Sequence, residues 1–147
     1  MIKDINHLKK ELNIENLKLK NFVILKDEEV DLVRKFRNHP EVRRWMYSDH
    51  EINKSEHIEF ISSLVKEEKK LYFLVLQDNL CLGVISLNRI DLKNRHAYLG
   101  IYANPEEKIS NAGFFLGRAL LKMSFEFIGL HSLKLEVIEN NHRAINL

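Results

Sequence analysis

Apolar residues change their period along this chain, and each change marks an element. Residues 1–18 are polar, with Ile5, Leu8 and Leu12 at helical spacing; they read as a short amphipathic helix or a loosely attached extension. The run Leu-Lys-Asn-Phe-Val-Ile-Leu over 19–25 predicts a first strand. Asp27 is positioned as an N-cap, because its carboxylate can accept the free amide hydrogens of a first helical turn. Val30, Val33 and Phe36 then follow a helical period, which Pro40 should end near His39. After a short segment holding Trp45, Met46 and Tyr47, the pattern predicts a second helix from about Asn53 to Lys69. Its apolar stripe would be Ile58, Ile61, Leu64 and Val65.

The middle of the chain switches to strand patterning. Residues 71–77 form one strand, Asp78-Asn79 a turn tolerant of left-handed geometry, 81–90 a returning strand, Lys93-Asn94 a second turn, and 96–103 a third strand. Pro105 closes the meander. Residues 113–128 are again helical, with Phe114, Leu116, Leu120, Leu121, Phe125 and Ile128 expected to face a sheet, and Gly129 stops the helix. Ser132–Ile138 gives a last strand, and Asn140 or Asn141 caps a final helix. The order β-α-α-β-β-β-α-β-α is an α+β arrangement, an antiparallel meander followed by a strand–helix–strand unit.

Composition narrows the class without altering this picture. The chain has 147 residues, 45% hydrophobic and 30% charged, with 23 Lys+Arg against 21 Asp+Glu and a formal charge of +2. That is a soluble single domain whose mixed charge gives no basic face for nucleic acid. No apolar run approaches the ~20 residues that cross a bilayer. The N-terminus lacks a signal-peptide pattern, and the single cysteine, Cys81, suits a reducing, cytoplasmic setting. His39, His50 and His57 lack the spacing of metal ligands, so no metal is expected. Cys81 on a strand reads as a small hydrophobe.

The chemistry concentrates in Tyr98–Pro105 and Asn111–Leu121. A strand leading through a polar loop into a glycine-containing helix start presents unpaired amides that favour an anion such as a pyrophosphate. Gly113 and Gly117 could equally serve as a turn residue and a helix-packing contact. The arrangement resembles the acetyl-CoA site of the Gcn5-related N-acetyltransferases, from Leu19 onward. Gly113 and Gly117 match the family's phosphate loop, whereas Ala112 and Phe115 stand where it usually has Arg or Gln and Gly. Asn141 and Ala144 match the Asn-x-x-Ala that starts the helix along the cofactor arm. Within this superfamily, Phe36-Arg-Asn-His-Pro40, Trp45-Met-Tyr-Ser48, His57-Ile-Glu-Phe-Ile61, Tyr98-Leu-Gly-Ile-Tyr102 and Leu130–Val137 with Glu139-Asn-Asn141 resemble one family. It is the N-acetyltransferase of pseudaminic acid biosynthesis.

The resemblance implies a Gcn5-related fold, a mostly antiparallel mixed sheet with helices on both faces, over residues 19–147, with 1–18 as an extension. It implies acetyl-CoA as co-substrate, held through Leu99, Ile101, Tyr102, Lys108, Asn111, Gly113, Gly117 and Asn141. It also implies transfer to the 4-amino group of a UDP-linked 4-amino-4,6-dideoxy-N-acetyl-altrosamine. Arg37 and His57 would lie on the diphosphate–uridine side, with Asn88, Arg89 and Tyr102 toward the sugar and Ser86 and Glu136 at the reaction. On residue chemistry alone, alternatives stay open: an Arg37–Glu41 ion pair, a Ser86 hydroxyl satisfied within the sheet, and a Glu136 cross-strand pair with Lys134 or Arg89. The family's acid tyrosine follows Asn-x-x-Ala by four residues, which falls one position past Leu147, and its closing strands are expected to be missing. That leaves two further readings: an acetyltransferase for a protein N-terminus or small amine, or a non-catalytic acetyl-CoA-binding module. An open sheet edge makes a homodimer an expectation.

Overall fold

The computed structural model describes residues 2–44, 46 and 50–135. Its six strands pair in sequence order: β1 Glu11–Ile14, β2 Leu17–Asn21, β3 Leu71–Gln77, β4 Leu80–Asp91, β5 His96–Ala103 and β6 Ser132–Leu135. Neighbours from β1 to β5 are antiparallel and β6 runs parallel to β5, so the sheet is mixed. The helices are α1 Asp27–Asn38, α2 Pro40–Arg43, α3 Lys54–Leu64 and α4 Ala112–Lys122, the last continuing as a π-helical segment to Ile128.

Two hydrophobic clusters define the layers. On one face Leu116, Ala119, Leu120 and Met123 of the α4 segment pack on Phe73, Val75, Ile85 and Leu87. On the other, Val33 and Phe36 of α1 and Leu64 of α3 cover Leu74 and Val84, with Phe22 between them. The helices therefore lie on both faces of the sheet, as the fold class anticipates. Burying each of these side chains contributes ~1.5–3 kcal/mol.

Of the two readings of residues 1–18, the amphipathic helix gives way among the described residues to a 3-10 turn and a strand. Glu11-Leu-Asn-Ile14 alternates exposed and buried residues and pairs with β2, and Ile5, Leu8 and Leu12 join the α4-side core. Their helical spacing arises from a 3-10 turn at Asn6–Leu8 followed by a strand, two periods that overlap in the sequence. The first long strand accordingly ends at Asn21, and Phe22–Ile24 make a 3-10 turn. Lys26, not Asp27, occupies the N-cap of α1, where its backbone amide donates to Glu29 Oε1.

Helix α3 ends at Leu64, five residues short of the expected Lys69, and Lys9 Nζ donates to the Val65 and Glu67 carbonyls beyond it. Its buried face runs His57, Phe60, Ile61 and Leu64, while Ile58 and Val65 face solvent. Helix α4 is likewise rotated: Phe114, Leu121 and Phe125 are exposed, and Ala119 allows close approach to the sheet.

Two further contacts place the strands that carry the site. Gly83 sits at the register shift between β3 and β4 with φ +153°, where an added Cβ would overlap the Tyr102 carbonyl and meet Leu116 Cδ1 at 3.0 Å. Buried Arg95 accepts at its carbonyl from the His131 and Ser132 amides, and its guanidinium donates to Ile128 O and Ile2 O at 3.4 Å. It thereby fixes the entry of β6 beside β5.

Candidate active site

Alternation along three strands brings hydroxyls together on the α1–α3 face. The register pairs Tyr72 with Ser86, Ser86 with Gly100, Asn88 with Tyr98 and Val84 with Tyr102. Tyr72 donates through its hydroxyl to Asn88 Oδ1 at 3.0 Å. Ser86 is buried, and a Cβ on Gly100 would overlap its hydroxyl, so Ser86 Oγ takes the place of a side chain at Gly100, between Tyr98 and Tyr102 along β5. Burial pushes the Tyr102 phenol above the ordinary tyrosine range; Arg37 opposes the rise and Tyr72 adds to it. Tyr72 is raised by the same cause, against the pull of Asn88, Arg37 and Ser86. Burial thus favours the neutral form of both phenols. Arg89 sits at a left-handed φ of 51°, where the β4–β5 register shifts, with its guanidinium 4.8 Å from the Tyr98 ring centroid.

Arg37 connects this platform to the α1–α3 seam. Its charge acts on Tyr72 and Tyr102 on one side and on His57 on the other. His57 is buried, and its imidazole is held below its ordinary range, first by burial and then by Arg34 and Arg37, with Asp31 opposing. The sequence treats His57 as an exposed helix residue; the phase of α3 turns it inward.

The second locus lies where β5 outruns β6. Their pairing covers His96–Leu99 with Ser132–Leu135, and β5 continues to Ala103. Leu99 and Ile101 point to the α4 side, Leu99 half-buried and Ile101 41% exposed. Asn111 adopts a left-handed φ of 63° to begin α4, and Phe115 bonds back to its carbonyl. The amides of Gly113 and Phe114 have no acceptor among the described residues. Among the described residues a Cβ on Gly113 or Gly117 would meet nothing within 4 Å, so no packing contact among them requires either glycine. The helix start thus offers free amides under open space, which fits a pyrophosphate. Lys108 is exposed in the preceding connection.

The family model for the acetyltransferase (GNAT) domain matches residues 17–147. The chain belongs to the GNAT acetyltransferase family. Acetyltransferase PseH of Campylobacter jejuni serotype O:2 is 37% identical to this GNAT chain over 131 residues, 89% of this chain and 80% of the relative. Its counterpart in serotype O:23/36 is 34% identical with the same coverage. The crystal structure of C. jejuni N-acetyltransferase PseH in complex with acetyl coenzyme A superposes with a TM-score of 0.70 and 32% identity, covering 88% of this chain and 82% of that one. The spermidine N-acetyltransferase of Vibrio cholerae, solved with CoA and spermine, has a TM-score of 0.76 at 19% identity, covering 90% and 78%. At that identity the likeness is one of fold.

Of the residues singled out from the sequence of this GNAT domain, Arg37, Ser86, Asn88 and Tyr102 come together, with His57 behind Arg37. Glu136 and Asn141, with Ala144, Trp45 and Tyr47, lie outside the described residues. Cys81 is half-buried with its thiol pushed up by burial, the behaviour of a small hydrophobe. Among the described residues no cluster of three or more His, Cys, Asp or Glu is arranged for a metal, and no helix is long and apolar enough to cross a membrane. The sequence reading missed Tyr72. A plain hairpin through Asp78-Asn79 sets Tyr72 opposite Ile85; the bulge at Gly83 moves it opposite Ser86, and a glycine inside a strand is the signal for such a bulge.

Proposed function

We propose that this GNAT domain transfers an acetyl group from acetyl-CoA to the 4-amino group of a UDP-linked 4-amino-4,6-dideoxy-N-acetyl-altrosamine in pseudaminic acid biosynthesis. The observation that carries the proposal is the polar cluster of Tyr72, Ser86, Asn88 and Tyr102 on one sheet face, in a chain 37% identical to PseH. Clustered hydroxyls and an amide match a polyhydroxylated ring better than an extended peptide, and the Arg37 guanidinium beside them matches a phosphate.

In this proposal the free amides of Gly113 and Phe114 hold the donor's pyrophosphate, with Lys108 and Asn111 at its edge and Asn141 along its arm. The open faces of Gly113 and Gly117 leave it room, and Leu99, Ile101 and Tyr102 flank the acyl end. The donor supplies an activated acetyl thioester. Asn88, Arg89 and Tyr102 orient the sugar, and Arg37 with His57 anchors the diphosphate. Glu136 takes the proton that the ammonium must lose, and Ser86 orders the amine. The new N–C bond forms as the C–S bond breaks, and the thiolate leaves with a proton as free CoA. Holding both reactants in one complex supplies much of the rate gain. The enzyme acts in the cytoplasm, where both substrates are made, and two copies pair through the outer edge of β6.

Thiol release with three acceptors tests the proposal: the UDP-amino sugar, spermidine and an N-terminal peptide. Release dependent on the sugar nucleotide supports it. Release with spermidine or peptide alone overturns the acceptor, and acetyl-CoA binding without release to any acceptor favours a binding module. Sedimentation as a monomer at high concentration contradicts the pairing.

A further inference from the structure

Phe114 is 63% exposed, the highest value of any large apolar side chain among the described residues. A single exposed apolar residue is ordinary on a protein surface; the surroundings of this one set it apart. Phe114 stands in the first turn of α4, directly after Gly113, and its own amide is one of the two without an acceptor among the described residues. A helical side chain leans toward the N-terminal end of its helix, so the ring leans toward the end from which those amides project. The ring meets that of Phe115 at 5.6 Å between centroids and 72° between planes, and Phe115 packs against the α4-side core. Phe114 is thus braced from within while a face of its ring stays in water. Gly117, one turn on, carries no side chain, and an added Cβ there would meet nothing within 4 Å. Arg118 beside it is held by Glu15 of the β1–β2 turn, through hydrogen bonds of 2.6 and 2.9 Å. Free amides, open space and a braced aromatic face therefore adjoin at one helix start.

We propose that Phe114 binds the adenine of acetyl-CoA by stacking and so holds the nucleotide end of the donor. This rests on the placement of the donor's pyrophosphate at the start of α4 and adds a residue to it. The pyrophosphate joins the pantetheine arm to the adenosine, so phosphates on the Gly113 and Phe114 amides send the two in different directions. The arm runs to Leu99 and Ile101, where β5 outruns β6. The base is left to the outer side of the helix start, where Phe114 stands exposed. Stacking an adenine on a phenyl ring takes a face of each out of water and needs no charge on the protein.

Equilibrium titration of acetyl-CoA and of acetyl-4′-phosphopantetheine, which lacks the adenosine, into wild type, Phe114→Ala, Phe114→Leu and Phe114→Trp tests this. The unfolding midpoint of each ligand-free protein checks the fold. Phe114→Ala should lose acetyl-CoA affinity by roughly five- to a hundredfold, the range of one base–aromatic stack. Phe114→Leu should show much of that loss, and Phe114→Trp should keep wild-type affinity. Affinity for acetyl-4′-phosphopantetheine and the ligand-free midpoint should be the same in all four proteins. Equal acetyl-CoA affinity in wild type and Phe114→Ala overturns the assignment of Phe114 and leaves the donor at α4. Parallel losses for both ligands, or a lower ligand-free midpoint in Phe114→Ala, also overturn it, because the ring then serves the helix start or the packing of the chain. A wild type that does not bind acetyl-CoA overturns the donor reading as well. Should Phe114→Ala fail to fold, a Phe114→Leu protein with wild-type acetyl-CoA affinity overturns the assignment, because leucine offers no aromatic face.

Discussion

The Ser86 hydroxyl lies where the side chain of Gly100 would begin. The two residues are directly paired across β4 and β5, and a Cβ on Gly100 would overlap Ser86 Oγ. Gly100 is therefore the complement of Ser86, whose hydroxyl fills the sheet face between two tyrosines. Gly100→Ala should destabilise the domain by about 1–3 kcal/mol through overpacking. Ser86→Ala should relieve most of that cost in the double variant, so the two substitutions will not add. Urea unfolding of the four proteins measures this coupling; additive effects would show that the hydroxyl is not what Gly100 accommodates.

Gly113 and Gly117 behave differently, because no described residue fills the space above them. Gly117→Ala, inside α4, should stabilise the domain by roughly 0.5–1 kcal/mol, the helix preference of alanine over glycine. The same change should raise KM for acetyl-CoA if that open space receives the pyrophosphate arm. Thermal unfolding and donor titration read the two effects separately. A stabilised protein with unchanged KM for acetyl-CoA would remove Gly117 from the donor site.

Acid stability should report the burial of His57. Its folded-state pKa lies below the ordinary imidazole value of about 6.5, so in the interval between the two the unfolded chain binds more protons than the folded one. Stability from this group is therefore complete above the unfolded value and declines as pH falls below it. The lowered carboxylates Glu29, Glu56 and Asp91 act in a more acid range, where their stabilisation is lost. Urea midpoints between about pH 7.5 and about pH 5 should fall for wild type and flatten in His57→Gln. An equal slope in both proteins would show that His57 titrates as an ordinary solvated imidazole.

Tyr72→Phe removes the hydroxyl that donates to Asn88 at 3.0 Å. The fold should lose about 0.5–1.5 kcal/mol, the net value of one hydrogen bond. KM for the sugar nucleotide should rise, because Asn88 loses the group that orients it. Kinetics at saturating acetyl-CoA separate this from a donor effect, and an unchanged acceptor KM would confine Tyr72 to a structural role.

The β3–β4–β5 meander was legible because its turns are chemically marked: Asp78 adopts the left-handed φ of 57° that an Asp-Asn pair tolerates, and Pro105 follows β5. Helix α1 was legible from the period of Val33 and Phe36 and the stop at Pro40. Phase was harder than period. In α3 an apolar stripe through Ile58 and Val65 competes with one through Phe60, Ile61 and Leu64, and only tertiary packing chooses the second, carrying a histidine inside. In α4 the aromatic residues Phe114 and Phe125 look like core, yet small Ala119 sets the contact face. The hairpin of β1 and β2 hid in a polar segment, since its stability comes from Leu12, Ile14 and Leu17 meeting residues distant in sequence. The site residues came from family motifs; Tyr72 emerged only from a bulge.

The central claim is acetyl transfer to the amino group of a UDP-linked dideoxy sugar. Mass analysis of the products after incubation with acetyl-CoA and the UDP-4-amino sugar tests it most directly. The expected product carries one added acetyl on the 4-amino nitrogen, formed together with an equal amount of free CoA. An unmodified sugar nucleotide, in a reaction where the same protein acetylates spermidine or a peptide amine, would contradict it.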